Sequence, residues 1–283
     1  MTRRTLLGAA LAVPFLKGES RLPIRKAVEF NMLPKSLRAI DAFQLAKDCG
    51  FEEIECPTTP DQAKAEEMLV ASKMAGLPIH SVMNQAHWTY PLSSPDPAAV
   101  EKSLDGMRTS LQNAKLWGAD TVLLVPAVVN AEVGYAQAWE RSQRQIRKLI
   151  PIAEELKIVI GIEEVWNKFL LSPLEFARYI DSFDSPYVKA YFDVGNVAIN
   201  GYPQDWIRVL GKRIVKLHIK DFKFEKSVAS WVALKEGQID WHAVHASLEA
   251  IGYKGTATVE LAGGDGDYLK EVNRRFEQIL RGE

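Results

Sequence analysis

Four short stretches of this chain end in residues that can hold a cation or move a proton. They are KIVIGIE (157–163), YVKAYFD (187–193), RIVKLH (213–218) and GTATVE (255–260). Each reads as a buried strand, rich in β-branched and aromatic residues. Their last residues are Glu163, Asp193, His218 and Glu260. A charge at the end of a buried strand is costly unless something pairs with it. Three carboxylates at close quarters repel strongly without a cation. One divalent ion removes that repulsion, and three oxygen donors with one imidazole suit a hard or borderline metal. Mn²⁺ fits first, with Mg²⁺ and Co²⁺ as alternatives; a structural zinc site would favour thiolates.

Alternation of side chains along a strand tests whether the four can share a face. The residues just before them, Ile162, Phe192, Leu217 and Val259, are large and apolar, as a face packed under helices requires. The residues two before, Gly161, Tyr191, Lys216 and Thr258, are mixed or polar. The four candidates therefore point into one interior. The same rule selects Glu163 over Glu164, because a ligand at Glu164 would turn Ile158, Ile160 and Ile162 inward.

Alternation also adds neighbours. Glu55 follows Ile54, His80 follows Ile79, Glu29 and Asn31 share a face, and Lys220 shares the parity of His218. Loops after the strands supply His87, Trp88, Trp166, Asn167 and Asn196. Aromatic rings beside hydrogen-bonding groups fit a sugar-like ligand.

The elements that would position these residues follow a regular order. Strands are expected at 25–31, 51–56, 77–82, 119–125, 157–163, 187–193, 213–218 and 255–260. Amphipathic helical stretches such as 60–76 and 96–118 lie between them. Gly50, Gly76, Gly118 and Gly252 sit where helices would close with a residue of positive φ. Strand-then-helix units repeated through residues 23–283 predict an α/β fold, a single (β/α)8 TIM barrel, with its site at the C-terminal ends of the strands. A doubly wound open sheet is the alternative, but no glycine-rich dinucleotide turn follows the first strand.

The composition agrees with a large folded core: 283 residues, 47% hydrophobic and 25% charged. The net charge of -1 gives no electrostatic footprint for nucleic acid or an anionic membrane. Cys49 and Cys56 lack the spacing of a disulfide framework or zinc site and read as buried free thiols. Residues 1–22 differ from the rest. Arg3 and Arg4 precede an apolar run from Leu6 to Leu16, too short to span a bilayer. The segment resembles a twin-arginine export signal, which implies a periplasmic protein; an uncleaved tail on a cytoplasmic one is the alternative.

GIEEVWNKFLLSP, YFDVGN, KLHIKD and GTATVE, in that order, resemble the xylose isomerase-like barrels of the sugar phosphate isomerase/epimerase family. The resemblance covers the chain after its N-terminal segment. It implies the metal ligands Glu163, Asp193, His218 and Glu260, and it implies that Glu163 and Glu260 also exchange a proton with the substrate carbon. The chain departs from the epimerase pattern in three places. Asn196 stands where a histidine is frequent, Phe169-Leu170-Leu171 where a further glutamate is frequent, and Glu164 where many members have asparagine.

The expected activity is a metal-dependent isomerisation or epimerisation of a ketose through an enediolate, with the two glutamates as acid and base. The expected partner is a small sugar or sugar phosphate; self-association into a homo-oligomer is compatible with the sequence. Three other readings use related barrels. A lyase or dehydratase could use the same metal site on a keto-sugar. A non-catalytic barrel could simply bind sugar. An abasic-site endonuclease would need a multi-metal cluster with more histidines, and the whole chain has five. The loop LAGGDGDYL (261–269) follows the last strand, where such barrels often bind phosphate, but Asp265 and Asp267 in it would repel an anion, so the sequence leaves phosphate recognition unresolved.

Overall fold

The computed structural model describes residues 21–283. The expected export segment therefore lies, except for Arg21 and Leu22, outside the described residues. Strand β1 (Arg25–Glu29) is followed by α1 (Ala39–Asp48), β2 (Glu53–Pro57) by α2 (Gln62–Ala75), and β3 (Ile79–Met83) by α3 (Pro97–Trp117). Then come β4 (Thr121–Leu124), α4 (Tyr135–Leu156), β5 (Val159–Ile162), α5 (Pro173–Asp181), β6 (Val188–Asp193) and α6 (Pro203–Leu210). β7 (Ile214–Ile219) leads into a hairpin, β8 (Asp221–Glu225) and β9 (Val228–Val232), before α7 (Trp241–Ala250), β10 (Thr256–Val259) and α8 (Gly266–Leu280). Eight parallel strands close into a barrel in the order β1, β10, β7, β6, β5, β4, β3, β2. This is a (β/α)8 TIM barrel. No helix among the described residues is long and apolar enough to cross a membrane.

Local chemistry sets the boundaries. Asp61, Asp96, Ser172, Asp240 and Asp265 cap the first turns of α2, α3, α5, α7 and α8 with their side-chain oxygens. Gly76 and Gly118 close α2 and α3 at φ +60° and +77°, a region open to glycine at little cost. Between helices and strands lies one continuous apolar layer. Cys49 and Cys56 are free and buried in it. Inside the barrel a small cluster of Met83, Leu123, Val125 and Tyr191 fills the middle.

The hairpin was not among the expected elements. It is antiparallel, pairs Phe222 with Trp231, and turns through Lys226 and Ser227 at φ +51° and +66°. Two consecutive positive φ values are the geometry of a tight hairpin turn. Its base is held by Asp221, fully buried, whose carboxylate accepts from the backbone of Phe222, Lys235 and Gly237 and from Trp241 Nε1.

The strand N-terminal end is laced by ion pairs instead. Arg25 meets Glu53 at 2.7 Å, Lys216 meets Asp120 at 2.9 Å, and Lys26 meets Glu277 at 3.0 Å. Glu277 on α8 also takes Arg21 at 2.8 Å and Arg281 at 3.1 Å, and Leu22 N–H donates to Leu280 carbonyl, so α8 is tied to the start of the fold. Burial alone would raise the Glu277 carboxyl, but the hydrogen bonds from Arg21, Lys26 and Arg281 overrule it and bring it down to about 2. A carboxyl depressed on folding stabilises above its unfolded pKa, and that stability is lost as pH falls through the folded value. Glu277→Gln is therefore expected to cost about 1–2 kcal/mol at pH 7. The difference from wild type in urea midpoint should narrow below pH 4 and vanish near pH 2.

Candidate active site

The four strand ends converge. Asp193 and His218 are paired across β6 and β7. Glu163 and Glu260 follow β5 and β10, their backbone N–H groups donating to the Leu124 and Ile219 carbonyls at 3.0 and 3.1 Å. One ligand atom from each of Glu163, Asp193, His218 and Glu260 lies within 4.8 Å of the others. His218 Nδ1 is 2.8 Å from Glu163, 3.0 Å from Glu260 and 3.8 Å from Asp193. Glu260 retains 27% of its side-chain exposure, against 4% or less for the other three, so the cluster opens to solvent on its side.

Asp193 divides its work. Its Oδ1 accepts from the backbone N–H of Gly195 and Asn196, both at 2.8 Å, which fixes the turn after β6. Its Oδ2 is left for the cluster. Glu164 points away: its Oε1 accepts from Asp193 N–H at 3.0 Å. Burial, then Asp193 and Glu163, raise the Glu164 carboxyl well above its ordinary value.

Two residues read from the sequence as substrate contacts lie below the cleft instead. Glu55 is fully buried, accepts from the Tyr191 hydroxyl, and sits 3.2 Å from His218 Nε2. It therefore holds the far nitrogen of His218 and turns Nδ1 toward the cluster, as a carboxylate behind a metal-binding histidine does. His80 bonds Thr258 Oγ1 at 2.9 Å, and burial pushes its imidazole well below the ordinary value. The pairing of β2 with β3 skips a residue there, Ile54 facing Ile79 and Glu55 facing Ser81. Asn31 lies exposed at the rim and donates to Glu29 at 2.6 Å. Burial, then the charges of Glu260 and Glu55, push the Glu29 carboxyl up to about 7.

The electrostatics are those of a site short of positive charge. Burial pushes Glu163 up to about 7 despite His218 beside it. Burial would lower His218, yet Glu55 and the surrounding acids raise it well above the ordinary imidazole value. Burial would raise Glu260, but Lys220 and then His218 bring it down. The ammonium of Lys220 lies 2.6 Å from Glu260 and 2.9 Å from Asp193. Gly195 makes its path: a Cβ there would sit 2.3 Å from Lys220 Cγ. Four donors around one point, with the imidazole turned inward by Glu55, fit a single divalent ion held by Glu163, Asp193, His218 and Glu260.

A cleft of about 330 Å³ stands over the cluster. Glu163, Glu260, Lys220, His87, Trp88, Trp166, Asn167 and Asn196 line it, joined by Trp231 from the hairpin. Trp231 stacks on Trp166 with centroids 4.6 Å apart and lies under Lys220 Nζ at 4.9 Å. Trp166 Nε1 in turn donates to the Asn196 carbonyl at 2.9 Å. Asn167 spends its amide on the loop, donating to Ala127 carbonyl and accepting from Phe169 N–H. Asn196 donates to the Glu164 carbonyl at 2.9 Å. Trp231 and the supporting role of Glu55 were missed in the sequence. The alternation of FKFEKSVASWV was the available signal for the first of these.

Comparisons with known proteins agree with this architecture. A family model described as xylose isomerase-like TIM barrel matches residues 43–278. An L-ribulose-5-phosphate 3-epimerase of Salmonella paratyphi C is 24% identical over 258 residues, covering 84% of this chain and 88% of its own. Among solved structures, a D-tagatose 3-epimerase-like protein superposes with a TM-score of 0.78 at 17% identity, covering 91% of this chain and 98% of its own. A 3-keto-D-glucoside 4-epimerase from E. coli superposes with a TM-score of 0.75 at 15% identity, covering 89% and 98%. With its barrel closed and its length matched from the first helix to the last, the chain belongs to the xylose isomerase-like TIM barrel family.

Proposed function

We propose that this protein is a divalent-metal-dependent isomerase or epimerase of ketoses that works through an enediolate. The observation that carries the reading is the convergence of Glu163, Asp193, His218 and Glu260 on one point beneath an open cleft. The similarity to sugar epimerases supports the substrate class. When bound, the metal would act as a Lewis acid on the substrate carbonyl oxygen and stabilise the charge that develops there.

The two glutamates come from the two ends of the arc β5, β6, β7, β10, so they approach a substrate in the cleft from different directions. One removes the proton next to the carbonyl. Where that carbon is C3, the other returns a proton to its opposite face, giving an epimer; where it is C1, a proton goes instead to C2, the former carbonyl carbon, giving an aldose. Lys220 contacts Glu260 and not Glu163, which makes the pair electrostatically unequal and favours Glu260 as the carboxylate that stays ionised. Trp88, Trp166 and Trp231 present ring faces and edges to the sugar carbons.

An unphosphorylated sugar is the favoured substrate. The N-terminus of α8, where related folds can bind phosphate, carries negative charge of its own: Asp265 Oδ1 accepts from Tyr268 N–H at 3.0 Å, and Asp267 sits in the first turn. Export through the N-terminal segment would also place the protein among free sugars. The test is a screen of free and phosphorylated ketoses in D₂O with metal-loaded protein, read by NMR for exchange of the carbon-bound proton. Absence of exchange with every ketose and keto-sugar overturns the reading.

Elemental analysis is expected to find one divalent ion per chain, and chelation should abolish exchange until Mn²⁺ is restored. Two or three tightly held ions would favour the endonuclease branch of the superfamily. Glu163→Gln should weaken metal retention, whereas Glu164→Gln should leave metal content near wild type. Glu163→Gln and Glu260→Gln should each slow proton abstraction by roughly 10²–10⁴-fold. In a 3-epimerase the two variants should be blocked in opposite stereochemical directions. Full exchange in both, with metal bound, would show that neither is the base.

A further inference from the structure

The turn after β3 places a histidine in the cleft with one nitrogen already committed. His87 lies on a short 3-10 turn, Ala86–Trp88, and is only 1% exposed although it lines the cleft beside Glu163 and Glu260. The backbone N–H of Val125 points at its Nδ1 from 3.2 Å. The amide nitrogen of Asn84 approaches the same atom at 3.4 Å, while the oxygen of that amide is taken by Ala86 N–H and Ser110. A backbone amide can only donate, so Nδ1 must accept. In a neutral imidazole the proton is then on Nε2. That atom is buried and has no protein partner among the described residues.

A buried donor without a partner is uncommon in a folded protein and asks for an explanation. The turn is not loosely placed. It packs so closely on α3 that a Cβ on Gly106 would lie 2.3 Å from the Ala86 Cβ. Trp88 packs edge-on against the imidazole with centroids 4.5 Å apart. Burial holds the ring neutral, its pKa pushed down to about 3. The ring is thus fixed in position and tautomer, with a buried N–H left over on a residue that lines the cleft.

We propose that His87 is a specificity residue whose Nε2–H donates to an uncharged oxygen of the substrate, a hydroxyl or carbonyl of the sugar that does not itself react. This rests on the reading of the cleft as a sugar site and adds the role of its wall. The nitrogen left without a protein partner already carries the proton, so His87 is not a base. As a neutral donor it suits a hydroxyl better than a phosphate, which favours charged donors. A bond made equally in the bound and transition states lowers KM and leaves kcat alone.

The experiment has two arms on the full-length, metal-loaded protein. In the first, ¹⁵N-histidine NMR of wild type, with the signal assigned by its loss in His87→Gln, reads which nitrogen carries the proton. Protonated Nε2 and bare Nδ1 are expected; protonated Nδ1 overturns the proposal whether or not a substrate is known. In the second, His87→Phe keeps a ring but loses the donor, and His87→Gln keeps an amide donor near the position of Nε2. On the best ketose from the exchange screen, His87→Phe should raise KM by roughly tenfold with kcat within about twofold, and His87→Gln should recover most of that loss. Binding of the matching sugar alcohol, which cannot enolise, should weaken in parallel by calorimetry. An unchanged KM and unchanged alcohol binding in His87→Phe, with metal content and thermal midpoint near wild type, overturns the proposal. So does a collapse of kcat at constant KM, which would make His87 part of the proton transfer. Wild type that binds the alcohol but exchanges no ketose proton would count against the isomerase reading while leaving the donor role intact.

Discussion

Crowding of negative charge governs this site. Three carboxylates gather around one nitrogen of His218, and Glu55 sits on its other nitrogen. Such a set is stable only if the imidazole cannot rotate away and cations stand close by. Rotation is prevented by a chain of contacts running across the barrel. Gly161 leaves room for the Tyr191 ring, since a Cβ there would lie 3.1 Å from the Tyr191 Cβ. The Tyr191 hydroxyl holds Glu55, and Glu55 holds His218. The partly buried Lys216–Asp120 ion pair at the opposite end of the barrel braces β7 from below. Lys220 supplies positive charge from above, by a route that only a glycine at 195 leaves open.

Much of this was legible in the sequence because strand periodicity leaves little freedom. In a closed barrel every second residue faces inward, so four strands ending in Glu, Asp, His and Glu must direct them to one place. The barrel itself followed from strands alternating with glycine-capped helices. The choice between Glu163 and Glu164 rested on parity alone, and in the structure only Glu163 reaches His218. Glu55 and His80 were harder. Parity says that a residue faces the interior, but it does not say at what depth. Both lie one layer below the ligands, where a side chain supports the site without meeting the cleft.

The hairpin was missed for a different reason. Its strands expose Phe224, Val228 and Trp231, and solvent-facing aromatics blur the alternation that marks a strand. It also begins directly after a barrel strand, with Lys220 alone between β7 and β8, so no turn signal separates the two. The buried acid at its base, Asp221, gathers the backbone of three residues and one indole, and that is visible only once the chain has folded back on itself.

That anchoring bears on how such a protein can diversify. β7 contributes His218 and Lys220, and the next residue, Asp221, fastens the insertion that carries Trp231 over the cleft. Since the fastening is made within the insertion and its return segment, the hairpin can change length or tip sequence without pulling on His218. The roof of the cleft is in effect a separately fastened module beside the floor that carries Glu163, Asp193, His218 and Glu260. A change in the roof can therefore alter what the cleft admits while the cluster of four strand ends keeps its geometry.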